Sequence, residues 1–205
     1  DFKHTKNEVA INLNRRGLTE IPDYVFENEE LKVLRLYGNQ IDSIPERIGE
    51  LTNLEKLFVG KNNLTSLPKS IGKLKNLKIL SVQYNDIAEL PESIGGLESL
   101  KQLSLNQNEL ITLPSSIGNL KQLEVLELRF NFLERIPPEI GGCENLKFVY
   151  LNRNNLTALP PEMFEIRQLR EVHLSGAGAL LDVPENICDL RLLELLEIDN
   201  AVAIP

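Results

Sequence analysis

The sequence predicts an α/β repeat solenoid of about nine repeats, with a curved parallel β-sheet on its concave side and short helical or 3₁₀ turns on its convex side. Three observations predict it. Residues 100–120 read LKQLSLNQNELITLPSSIGNL, and the pattern returns every 23 residues, at Leu31, Leu54, Leu77, Leu100, Leu123, Leu146 and Leu169. Each unit opens with an apolar/polar alternation of strand period and closes with proline and, three residues on, isoleucine (methionine in one unit). An asparagine separates the two halves.

With the opening leucine as position 1, residues 1–7 are a polar lead-in and residues 8–205 form one repeat domain. Repeat 1 (8–30) is degenerate, with Arg16 at the asparagine position, Asn28 where a core leucine belongs and Phe26 beside it to cover the gap. A terminal repeat has one neighbour only, and a drift towards polar residues suits it.

Repeats 2 to 7 (31–168) are regular. Strand alternation sends positions 4 and 6, such as Leu34 and Leu36 or Leu103 and Leu105, into the core and positions 3, 5 and 7 onto the concave face. Position 9 is Asn39, Asn62, Asn85, Asn108, Asn131 and Asn154. The chain leaves the sheet there, and an inward amide can both donate to and accept from the stranded backbone, so the column is expected to be a structural ladder. Pro45, Pro68, Pro91, Pro114, Pro137 and Pro160 should each start a short turn of helix. Ile48, Ile71, Ile94, Ile117, Ile140 and Met163 then point inward, and Gly49, Gly72, Gly95, Gly118 and Gly141 are expected to permit the tight reversal that follows.

The last repeats (169–205) are irregular. Ala177 replaces the asparagine and one extra residue puts Leu193 24 residues after Leu169. The segment SGAGALLD (175–182) reads as decay towards a terminal cap, or as a bulged loop beside the concave face used for binding.

Composition removes several function classes. A formal charge of −8 argues against nucleic-acid and anionic-membrane partners, which need a basic field. No apolar run approaches the length of a membrane span. Cys143 and Cys188 lie two repeats apart on the convex half, roughly 10 Å at about 4.8 Å per strand, which is beyond disulfide reach. Cys143 fills a slot held by leucine elsewhere and reads as a small core residue. The chain begins at Asp1, consistent with a processed exported protein or a trimmed chain.

Specificity belongs to the variable exposed positions, because the repeated ones hold the scaffold. Positions 3, 5, 7 and 8 offer 36 sites in 205 residues, so chance places about two of the eleven aromatics there. Six are found: Tyr37, Phe58, Tyr84, Phe130, Phe148 and Tyr150. Exposed aromatics are typical interface anchors, although the same rings also suit strands and can tuck against neighbours. Arg35, Lys56, Arg129 and Arg153 share this surface and complete the expected partner-binding set; Arg15 and Lys61 add positive charge towards the N-terminal end. Glu171, Glu197 and Asp199 make the C-terminal end acidic, a gradient that would orient a partner.

Catalytic readings find little support. There are two histidines, His4 in the lead-in and His173 on the concave face. His173 with Glu171 and Glu197 is the one constellation with metal-ligand character, and one histidine among scattered carboxylates is a weak set. No serine or cysteine has a base at motif spacing. No enzymatic activity, cofactor or resident metal is expected.

LTNLEKLFVGKNNLTSLPKSIGKLKNL (51–77) and its copies resemble the 23-residue LPxxIGxLxxL class of leucine-rich repeats. That class includes exported proteins of the leptospiral type, plant intracellular repeat proteins and the scaffold repeats of the Scribble and Ras-pathway kinds. The resemblance covers roughly residues 8–200 and implies the concave parallel sheet and protein–protein binding. The reading that follows is a non-catalytic module holding a protein partner on its concave face, secreted or at a cell surface, in an exported bacterial protein meeting host or surface proteins. The alternatives are a cytoplasmic scaffold for a small GTPase or phosphatase, and a recognition domain of a larger enzyme. Homodimerisation through the aromatics or an open sheet edge is a further expectation.

Overall fold

Nine three-residue strands, one per repeat, lie side by side in a parallel sheet in the computed structural model. It describes residues 9–179 and 181–198, with backbone alone for 202–203. The lead-in with His4, the first residue of repeat 1, Asp199 and Ala201 lie outside the described residues. The strands are β1 (Ala10–Asn12), β2 (Val33–Arg35), β3 (Lys56–Phe58), β4 (Ile79–Ser81), β5 (Gln102–Ser104), β6 (Val125–Glu127), β7 (Phe148–Tyr150), β8 (Glu171–His173) and, after a two-residue strand β9 (Leu181–Asp182), β10 (Leu195–Glu197). They pair in chain order from β1 to β8 and then β10, and β9 pairs separately with β11 (Val202–Ala203). Leu34 stands opposite Leu57 and Leu103 opposite Leu126, an offset of one repeat. At the last pair Val172 stands opposite Leu196, which absorbs the extra residue of repeat 8.

No strand of three residues buries a face alone. Stacking does it: Leu34, Leu57, Leu80 and Leu103 are completely buried, as are Leu36, Val59, Val82 and Leu105 two residues on. Each fully buried side chain of this size contributes roughly 1.5–3 kcal/mol relative to exposure. On the convex side repeats 1 to 8 each cross in a 3₁₀ segment, such as Glu46–Glu50, Ser115–Asn119 and Pro138–Gly142, these three entered from a proline near φ −70°. Five residues are too few for a stable α-helix, and the tighter helix suits such short pieces. In repeat 1, Asn28 is buried and Phe26 closes over the core beneath the Arg47 guanidinium, 5.0 Å from the ring centroid.

The convex glycines serve a purpose other than the reversal expected of them. Positive φ among glycines is confined to Gly17, Gly38 and Gly176. A Cβ on Gly118 would instead lie 2.2 Å from the Glu139 carbonyl oxygen of the next repeat. Glycine is required there by close packing between repeats.

The asparagine column is buried and bonded throughout. Asn108 accepts from the Ile87 N–H (3.1 Å) and donates to the Val82 and Leu105 carbonyls at 3.1 and 3.0 Å, joining its own repeat to the preceding one. Asn62, Asn85, Asn131 and Asn154 repeat this pattern. Asn39 accepts from the Arg16 and Leu18 N–H groups. Repeat 8 makes the same rung without the side chain. The Ala177 carbonyl accepts from the Leu156 N–H at 2.7 Å, and the Ala177 N–H donates to Leu174. The chain is drawn so close that a Cβ on Gly178 would sit 1.8 Å from the Leu156 carbonyl oxygen. Ala177 and Gly178 are therefore buried parts of the ladder. The segment then runs on to β9, where Asp182 bridges Ala158.

Candidate functional site

The concave strands place their outward residues in rows, and these rows pair rings with guanidinium groups. Arg35 lies over Phe58 of the next strand at 4.8 Å, and Arg129 lies over Tyr150 at 4.0 Å. Tyr150 stacks in turn on His173, centroids 4.5 Å apart. Burial raises the Tyr150 phenol above its ordinary value, and the Glu171 carboxylate adds to this. Cation–π contacts of this kind contribute roughly 0.5–1 kcal/mol at exposed sites. Tyr37, Phe58, Phe148 and Tyr150 are half-buried, and Lys56 lies beside Phe58 on the same strand.

Tyr84 and Phe130 differ from those four. Both occupy position 8, the first residue past the strand row, and are 49% and 48% exposed. The backbone there is left-handed in repeat after repeat: Arg15, Lys61, Tyr84, Gln107, Phe130 and Arg153 have φ between 53° and 59°, and Gly38 and Gly176 hold the same place at 73° and 67°. A non-glycine residue in this region carries a cost of about 1 kcal/mol or more. The turn aims each position-8 side chain outward along the edge at which the strands end. Arg153 reaches back over the Phe130 ring at 5.8 Å.

That edge carries two further apolar residues, Phe132 (53% exposed) and Ile111 (52% exposed). Both were missed by a survey of positions 3, 5, 7 and 8. A signal was present, since Phe132 stands in a column otherwise filled by Gln40, Asn63, Asp86, Glu109 and Asn155.

At the C-terminal end His173 is bracketed. Its Nδ1 faces a Glu197 carboxylate oxygen and its Nε2 faces Glu171 at 3.0 Å. The hydrogen bond from His173 first, and then that from Ser175, hold Glu197 below the usual carboxylate range. Both ring nitrogens are thus occupied by carboxylate contacts on opposite sides of the ring and do not face a shared ligand point. Among the described residues no three His, Cys, Asp or Glu side chains converge as metal ligands do. The cluster is a hydrogen-bonded network, continued by Asn152, which donates to Glu197 (3.4 Å) and accepts from Arg129 Nε (3.3 Å). Both cysteines are free. Cys143 is buried, which pushes its thiol up to about 12.

The chain matches the family model described as leucine-rich repeat region over residues 23–109 and 58–134, and a two-copy leucine-rich repeat model over 121–161. It belongs to the leucine-rich repeat family. No curated protein matches it. Among solved structures this leucine-rich repeat chain is similar to a leucine-rich repeat protein of Leptospira interrogans, at 36% identity and a TM-score of 0.87. The match covers 95% of this chain and 50% of that one, so the chain spans about half the Leptospira protein's length. It is also similar to the Arabidopsis receptor kinase HAESA, solved with the peptide hormone IDA and the co-receptor SERK1, at 29% identity and a TM-score of 0.82, covering 95% of this chain and 34% of that one. The leucine-rich repeat domain of the type III effector XopL gives 25% identity and a TM-score of 0.75, over 93% and 76% of the two chains. Among the described residues, no helix is long and apolar enough to cross a membrane.

Proposed function

We propose that this leucine-rich repeat protein is a non-catalytic binding module that holds a segment of a partner protein against its concave face. One observation carries the reading: the concave rows present rings already stacked beneath guanidinium groups, Arg35 on Phe58 and Arg129 on Tyr150. Pairs fixed in this way lose little conformational freedom when a partner docks, which is what an anchor requires. The peptide hormone and co-receptor bound by HAESA are support from a structure of the same fold. A binding role is favoured over catalysis because His173 is committed to two carboxylates and the Cys143 thiol is buried and protonated. The likeness to the leucine-rich repeat domain of a type III effector supports a location outside the bacterial cytoplasm, secreted or at the cell surface, in contact with host or surface proteins.

The test is capture of a partner by the immobilised chain, followed by affinity measurement with Arg129→Ala and Tyr150→Ala. Each should weaken the captured complex at least tenfold. Affinities within twofold of the parent for both variants would remove the concave face from the reading. Fractionation of producing cells, with the protein followed by antibody, tests its location.

A further inference from the structure

Three clefts line up across the strand-end edge in repeats 5 to 9. The first, about 490 Å³, lies on the concave side among Arg129, Phe130, Asn152, Arg153, Ser175 and Glu197. The second, about 350 Å³, lies between Phe130, Phe132 and Arg153. The third, about 510 Å³, passes Ile111, Thr112 and Arg135. Phe130 and Arg153 wall the first two, and Asn155 is shared by the second and third, so the three lie next to one another along a segmented groove.

We propose that this groove binds an extended segment of a partner protein, carrying a carboxylate side chain followed within a few residues by a bulky apolar one. The proposal rests on the binding role above and names its partner's chemistry and its path over the edge. Isolated exposed apolar residues are ordinary on a protein surface; a run of them is not. Phe130, Phe132 and Ile111 are each about half exposed and fall in adjacent repeats. Phe130 also keeps a bulky ring at a left-handed position where Gly38 and Gly176 show that glycine serves the fold.

The charge at the concave end selects an anionic group. Among the described residues Arg129 and Arg153 form no ion pair; each guanidinium lies over a ring, Tyr150 or Phe130, and apart from the Arg129 Nε bond to Asn152 their N–H groups remain for a carboxylate. The one carboxylate in that cleft, Glu197, is already held by His173, Ser175 and Asn152. A nucleic acid or anionic membrane would meet a molecule of net charge −8, whereas a short acidic segment needs only the local pair. Clefts divided by Phe130 and Arg153 suit an extended chain that drops alternate side chains, roughly 7 Å apart, into successive spaces.

The test pans a phage-displayed library of random linear dodecapeptides on the full chain and measures the enriched peptides by fluorescence anisotropy. We expect enrichment of Asp or Glu followed within three residues by Phe, Tyr, Leu or Ile. Phe132→Ser and Arg153→Gln should each weaken binding at least tenfold, and Glu124→Gln on the opposite edge should leave it unchanged. Circular dichroism melting confirms that Phe132→Ser keeps the parent fold, as its exposure predicts. Binding that falls with Tyr37→Ala and Phe58→Ala but survives Phe132→Ser overturns the groove and keeps the concave-face reading. Insensitivity to all four variants overturns both. A library that yields no binder overturns the proposal, and so does a dimer of the chain alone that Phe132→Ser dissociates, which would assign the groove to a second copy.

Discussion

The two edges of the sheet are held by different devices. Where the strands begin, position 2 carries a surface ladder: Glu55 pairs with Lys32 at 3.4 Å and Lys78 at 2.6 Å, Glu124 with Lys101 at 3.4 Å and Lys147 at 2.7 Å, and Arg170 with Glu194 at 3.1 Å. Where the strands end, the support is the buried asparagine column. Both devices link one repeat to the next, but their energetics differ in kind. Solvent screens the charges, so each pair is worth roughly 0–1 kcal/mol. An amide bonded three times out of reach of water is costly to remove, because each orphaned group loses about 1–3 kcal/mol. The strand-start edge thus satisfies its own charges and offers a partner little. The strand-end edge, secured from within, is free to expose Phe130 and Phe132.

The sharpest test of this contrast is Asn108→Ala. It strands the Ile87 N–H and two carbonyls, and should cost about 3 kcal/mol in urea-unfolding free energy. A cost below 1 kcal/mol would make the two edges equivalent. Phe130→Gly should leave stability unchanged or raise it by about 1 kcal/mol, because the left-handed strain is relieved while only an exposed ring and its Arg153 contact are lost. A clear loss of stability would show that the ring holds the edge together. Glu124→Gln should cost less than about 1 kcal/mol, and the cost should vanish in high salt.

Acid probes the charge ladder. Hydrogen bonds from Lys78 and Lys32 lower the Glu55 pKa, and one from Lys147 lowers that of Glu124, both from an ordinary 4.5. A lowered folded pKa stabilises the protein above the unfolded value, and that contribution fades as pH falls through the folded one. The melting temperature should therefore hold steady down to about pH 4.5 and decline below it. The decline should be shallower for Glu124→Gln.

The 23-residue period and the inward direction of positions 4, 6 and 9 were legible because each residue type recurs at one place and its burial requires one orientation. The apposition of His173 with Glu171 and Glu197 also followed from register, although the network they form did not. Three features were hidden. The left-handed backbone at position 8 is signalled by Gly38 and Gly176 alone, while Arg15, Lys61, Tyr84, Gln107, Phe130 and Arg153 mask it. The Ala177 rung uses main chain, which the residue name does not encode. The convex glycines answer to a carbonyl one repeat away, a distance that local turn reasoning does not reach.

The uniform offset has a consequence for how such a molecule can change. Every internal junction between β2 and β8 joins equivalent residues in the same register. Excising residues 77–99 would bring Asn62 against Asn108 in the geometry each already has with Asn85. Span can thus be lengthened or shortened in whole 23-residue units without redesigning a single junction, while a change of one residue needs a rebuilt turn of the kind found in repeat 8, where Val172 stands opposite Leu196. Repeat 8 is where that freedom stops: its carbonyl rung needs Gly178 pressed against Leu156, so a unit inserted there would have to supply its own asparagine or its own glycine.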